Sequence, residues 1–247
     1  MVNWNKTLVL GHRGYSAKYP ENTLLAFRKA IEAGADGVEL DVWLTKDGEV
    51  VVIHDDSVDR VSSGTGKVKE MTLEELKSLD FGNGEKILTL EEVFKALPDA
   101  IINVELKDID AVKKTAELIK ANNPERILVS SFNIDALREY RKYDAETKLG
   151  ILIEKEETLA QLPQLIAELK PWSLNPPIDA MAILGVEKTV GALQMAKGAG
   201  LRIVLWPLNE ELYYANDNLV RLGGLFDVLI VNDVERMISY LRGLGLK

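Results

Sequence analysis

His12 and His54, the two histidines of the chain, each close an apolar run, "LVLG" before the first and "VVVI" before the second. Histidine changes charge nearest to neutrality, so a pair can take one proton and deliver another. Buried alone, either would read as a satisfied core residue. "GVELDVWL" sets Glu39 and Asp41 two residues apart, and "INVELKD" does the same with Glu105 and Lys107. In a strand, residues i and i+2 share a face. Each pair therefore projects charge to one side of an apolar strand, where an unpaired carboxylate is costly. Salt bridges at a sheet surface would satisfy the pairs one by one. Taken together, Glu39, Asp41 and Glu105 make an all-oxygen set suited to one hard divalent cation, Mg²⁺, Ca²⁺ or Mn²⁺, and not to zinc.

Arg13 and Lys107 are the natural counter-charges for a bound phosphate, the arginine through forked hydrogen bonds and the lysine as a point charge. A cation site, two basic side chains and two proton carriers together suit displacement at a phosphoryl group. In "PENT", Asn22 is a good N-cap for a helix starting at residue 23. Glu21 either orients Arg13 or His12, or complements the helix dipole. Phe132 in "SSFN" and Trp206 in "LWPLN" end later strands, as apolar walls of the same mouth or as plain core.

The elements that position these residues alternate along the chain. Apolar, β-branched runs predict strands over 7–10, 37–43, 101–106, 127–131, 148–153, 172–174, 202–207 and 227–231. Helical periodicity falls between them, over 23–33, 111–121, 134–143, 159–169, 188–199, 210–221 and 234–241. Strands apolar on both faces suit a parallel sheet covered by helices. The expected fold is an α/β (β/α)8 TIM barrel, one domain over residues 1–247, with an open doubly wound sheet as the alternative. No G-x-G-x-x-G follows the first strand, so a dinucleotide-binding sheet has little support. The repeat breaks once: a turn at Asp47-Gly48 leads to a short strand carrying His54, then a polar, Gly/Ser-rich insertion spans about 57–88. Thr72 with Glu75 forms a capping box that opens a short helix within it, and Thr89 with Glu92 forms another that opens the next helix. A loop of this length at a barrel mouth is more often functional than decorative.

The formal net charge of −9 argues against nucleic acid as a partner, because backbone binding needs a positive surface. With no cysteine, thiolate metal sites, disulfides and cysteine nucleophiles are excluded. Neither a leader nor an apolar run long enough to span a membrane is visible, so the expected location is cytoplasmic.

The ordered motifs "GHRG…PENT", "ADGVELDVWLTKDGEVVVIHDDSVDRVSSGTG", "ILTLEEVF" and "INVELK" resemble the glycerophosphodiester phosphodiesterase family over nearly the whole chain, most densely from Leu10 to Lys107. The resemblance implies a TIM barrel with a small insertion after the second strand. It also implies metal-dependent hydrolysis of glycerophosphodiesters to glycerol 3-phosphate and an alcohol. By position, it places the family's histidines on His12 and His54, with Arg13 beside His12 in the "HRG" motif, its metal carboxylates on Glu39, Asp41 and Glu105, and its phosphate-side lysine on Lys107. Glu21 matches the acid of the "PEN" motif. One departure stands in the late motif, commonly W-T-V-N, which here reads Trp206-Pro207-Leu208-Asn209. Three other readings share these residues: a lysophospholipase D acting on lysophospholipids, another metal-dependent barrel enzyme, and a non-catalytic phosphate-ester binder. No histidine or carboxylate is missing, which disfavours the last.

Overall fold

The apolar runs become strands because each finds a parallel neighbour on both sides. The computed structural model describes residues 4, 6–122 and 124–247. The strands are β1 (Leu8–His12), β2 (Gly37–Leu44), β3 (Val50–Val52), β4 (Leu88–Thr89), β5 (Ile101–Leu106), β6 (Ile127–Ser131), β7 (Lys148–Leu152), β8 (Ser173–Asn175), β9 (Arg202–Leu205) and β10 (Val228–Val231). Pairing runs β1-β10-β9-β8-β7-β6-β5-β2, and β1 also pairs with β2. That last pairing closes the sheet into a (β/α)8 barrel of parallel strands and excludes the open alternative. β3 pairs antiparallel with β2 and β4 antiparallel with β3, forming a small insertion after β2.

Gly37 shows how tightly the closure is fitted: a Cβ there would lie 1.9 Å from the carbonyl oxygen of Ile101 on β5. Alternation along the strands sorts side chains into two layers. Val9, Val38, Leu40, Val42 and Val104 face the outer helices. Leu8, Leu10, Ile101, Leu128, Val204, Val228 and Ile230 fill the barrel interior with Trp4, Trp172 and Trp206 against them. The inward positions of β2 and β5 turn polar, as Glu39, Asp41, Asn103 and Glu105. The change falls toward the C-terminal strand ends, where barrels carry their chemistry.

The insertion carries a small core of its own, with Val58, Val68, Leu76, Phe81 and Ile87 packed on Val51 and Ile53. Both expected capping boxes form, opening α2 (Leu73–Ser78) and α3 (Leu90–Ala96). Other expectations need correction. Helix α1 (Leu24–Glu32) is capped by Thr23, whose hydroxyl accepts from the Ala26 N–H, and not by Asn22. The predicted helix 159–169 is two pieces, Glu156–Ala160 and Leu162–Leu169, the second with proline in its first turn. The predicted helix 210–221 breaks at Asn216 and Asp217, both in the left-handed region. Among the described residues, no helix is long and apolar enough to cross a membrane.

Candidate active site

Strand register brings the carboxylates together. His12 on β1 lies beside Glu39 on β2, and Asp41 lies beside Glu105 on β5. One oxygen from each of Glu39, Asp41 and Glu105 falls within 4.8 Å of the others. All three side chains are buried. Burial, then Asp41 and Glu105, pushes the Glu39 carboxyl well above the ordinary range. Burial and then Asp41 push Glu105 up to about 7, against the pull of Lys107. Asp41 Oδ1 is buried without a hydrogen-bond partner. Three clustered acids, one with an orphaned oxygen, fit a hard divalent cation.

The two cations flank this cluster. Lys107 Nζ donates to Glu105 Oε1 at 2.9 Å and stands 3.7 Å from Asp41 Oδ1. Its third neighbour is His54 Nε2 at 3.1 Å. Arg13 adopts the left-handed conformation, with φ of 55°. In that turn its backbone N–H donates to Glu39 Oε2 at 3.0 Å. Its guanidinium donates to Glu21 Oε1 at 3.0 Å and lies 3.5 Å from Asp41 Oδ2. Of the two roles open to Glu21, then, the contact made is to Arg13. The sharp turn runs through Arg13 and Gly14, the latter at φ of 85°, and Gly11 is needed for closeness: a Cβ on it would meet the Gly14 carbonyl oxygen at 2.6 Å.

The histidines are held differently. His54 Nδ1 is 2.6 Å from Asp55 Oδ1. The Asp55 carboxyl is held down to about 2, chiefly by hydrogen bonds from Arg60. His12 Nδ1 is 2.7 Å from Asn232 Oδ1, and its Nε2 is 3.9 Å from Glu39 Oε2. Burial and the Arg13 charge lower His12 to about 4, so its ring is neutral at rest. Partners assign the tautomers. An ammonium only donates, so His54 Nε2 accepts from Lys107 and Nδ1 carries the proton toward Asp55.

A cavity of about 970 Å³ opens over these groups, and His12, Arg13, Glu39, His54, Glu105 and Lys107 all line it. Phe132 and Trp206 line it too, packed edge to face with ring centres 5.4 Å apart. The Trp206 indole N–H is already bonded to the Asn175 carbonyl, so the ring offers only apolar surface. At the departing motif, the Asp179 carboxylate accepts from the backbone N–H groups of Leu208 and Asn209, and Leu208 projects into solvent.

Several residues of the site escaped sequence reasoning. Asn22, read as a helix cap, instead donates from Nδ2 to Asp41 Oδ2 at 3.1 Å. Asp55, Arg60, Asn103 and Asn232 were not singled out. The polar pair Asn232-Asp233 directly after the buried run "VLIV" was the signal for Asn232.

Known proteins resemble the chain in sequence and in fold. The pattern of the "Glycerophosphoryl diester phosphodiesterase family" matches residues 12–236. A glycerophosphodiester phosphodiesterase of Caldanaerobacter subterraneus subsp. tengcongensis is 36% identical, over 96% of this chain and 98% of the relative. The crystal structure of such an enzyme from Thermotoga maritima is 40% identical, with a TM-score of 0.81, covering 96% of this chain and 99% of that one. An Oleispira antarctica phosphodiesterase, solved with its product sn-glycerol-3-phosphate, is 26% identical with a TM-score of 0.82, over 95% of this chain and 96% of that one.

Proposed function

The chain belongs to the glycerophosphodiester phosphodiesterase family, whose reaction is hydrolysis of glycerophosphodiesters to glycerol 3-phosphate and an alcohol, and from that premise we propose how its residues perform it. Glu39, Asp41 and Glu105 hold one divalent cation, Mg²⁺, Ca²⁺ or Mn²⁺. Bound there, such an ion supplies Lewis acidity toward a phosphoryl oxygen. Arg13 and Lys107 hold the phosphate against the acidic cluster and offset the charge that develops on it. Phe132 and Trp206 wall the apolar side of the substrate.

Proton transfer falls to the histidines. The His54 Nε2 lone pair takes the proton of the attacking oxygen, with the Asp55 carboxylate steadying the ring that becomes positive. His12 delivers a proton to the departing alkoxide. Its ring is neutral at rest, and the anionic phosphate arriving beside it favours the protonated form. Bond formation and bond cleavage at phosphorus are thereby matched to one proton taken and one given. By analogy with the Oleispira antarctica relative, the product retained in the cavity is glycerol 3-phosphate.

The observation that carries this reading is the convergence on one cavity of two cations, both histidines of the chain and a cluster of three buried carboxylates, of which Glu39 and Glu105 line the cavity and Asp41 lies beneath them. Its test is a panel of glycerophosphodiesters (choline, ethanolamine, inositol and glycerol esters) given to chelator-stripped protein, then resupplied with Mg²⁺, Mn²⁺ or Ca²⁺. Release of glycerol 3-phosphate that depends on the cation is expected. No release from any ester with any of the three overturns the reading.

A further inference from the structure

Arg60 belongs to the insertion, outside the strands that carry the site, yet its guanidinium holds two carboxylates at once. Nε donates to Asp55 Oδ2 at 2.6 Å and Nη2 to Asp55 Oδ1 at 3.2 Å. Nη1 donates to Glu21 Oε2 at 2.9 Å and Nη2 to Glu21 Oε1 at 2.7 Å. Each carboxylate in turn grips a residue of the cavity, Asp55 the Nδ1 of His54 and Glu21 the Nη1 of Arg13. One cation therefore joins the loop after β1 to the loop after β3.

We propose that Arg60 is a positioning residue: by fixing Asp55 it holds His54 with its proton on Nδ1 and Nε2 open toward Lys107, and by fixing Glu21 it aims Arg13 into the same cavity. This rests on the roles given above to His54 and Arg13. Without the guanidinium, Glu21 and Asp55 lose their shared partner, and Asp55 is free to turn from the ring. A lysine cannot replace it, because one ammonium cannot fork onto two carboxylates. The side chain is 48% exposed, and ion pairs at that exposure add little to stability. Arg60→Gln should therefore fold, and its effect should appear in the site.

With only two histidines in the chain, long-range ¹⁵N–¹H spectra of the imidazole rings contain one signal set for each. His12, held by Asn232, serves as the internal reference. In Arg60→Gln the His54 nitrogens should move from the Nδ1–H pattern toward a tautomer mixture, while those of His12 stay. Turnover should fall roughly 10- to 100-fold, the range for groups that orient a site residue. Methylguanidinium in solution should restore part of both, and Arg60→Lys should restore neither. Asp55→Asn should alter the His54 ring in its own right and leave Arg60→Gln little further effect on that ring. Unchanged His54 signals in Arg60→Gln, or unchanged turnover, overturns the proposal. The ring spectra need no substrate, so a wild-type chain that releases no glycerol 3-phosphate refutes the functional reading without deciding this one.

Discussion

The Nζ of Lys107 lies 3.1 Å from the Nε2 of His54. An ammonium only donates, so this contact makes His54 Nε2 the acceptor and leaves the ring proton on Nδ1. The same ammonium is bonded to Glu105, so acid cluster and proton carrier share one cation. Lys107→Met should lower kcat/KM by roughly 10²–10³, the usual cost of removing one group that stabilises transition-state charge. Steady-state kinetics on a single glycerophosphodiester reads this directly, and a loss of only a few-fold would remove Lys107 from the reaction.

Glu39 and Glu105 both titrate above the ordinary carboxylate range, first because they are buried and then because Asp41 stands beside them. A raised folded-state value means that the folded protein binds more protons than the unfolded chain. For Glu105 the window runs from its ordinary 4.5 to about 7. Stability from this cluster therefore falls as pH rises through that window. A divalent cation replaces the protons, so its stabilising effect should grow over the same range. Thermal melts of chelator-stripped protein, with and without Mg²⁺ or Mn²⁺, should show a larger shift at about pH 8 than at about pH 5. An equal shift at both, or none, would mean that the carboxylates do not hold the ion.

Asn22 and Thr23 are neighbours with separable jobs. Asn22 sits at φ of 57° and donates to Asp41, while Thr23 caps α1. Asn22→Ala should cost roughly 1–2 kcal/mol, from the left-handed backbone and the lost hydrogen bond, and should also weaken cation binding. Thr23→Ala should cost about 1 kcal/mol as a lost cap and leave cation binding unchanged. Melts and cation titrations of the two variants check the difference; equal loss of cation affinity in both would put Asn22 back among the helix caps.

Much of this was legible along the chain, for identifiable reasons. The barrel strands were readable because both of their faces are buried, and the acids of β2 and β5 because charge two apart in an apolar strand has no cheap explanation. His12 and Asn232 pair across a separation of 220 residues, which no local pattern encodes. Arg60 stands in a loop whose polar composition gave no reason to choose one cation over another. The break at Asn216 and Asp217 was hidden because helical periodicity resumes on its far side. β4 is only two residues long, too short for alternation to register.

Proton transfer by two histidines is the central step of the proposed hydrolysis. Its most direct test is kcat of wild type, His12→Ala and His54→Ala on one glycerophosphodiester with saturating cation, with folding checked by circular dichroism. Each variant should fold and lose roughly 10²–10⁴ in kcat, the range for a positioned general acid or base. Near-normal turnover by either folded variant would contradict the mechanism.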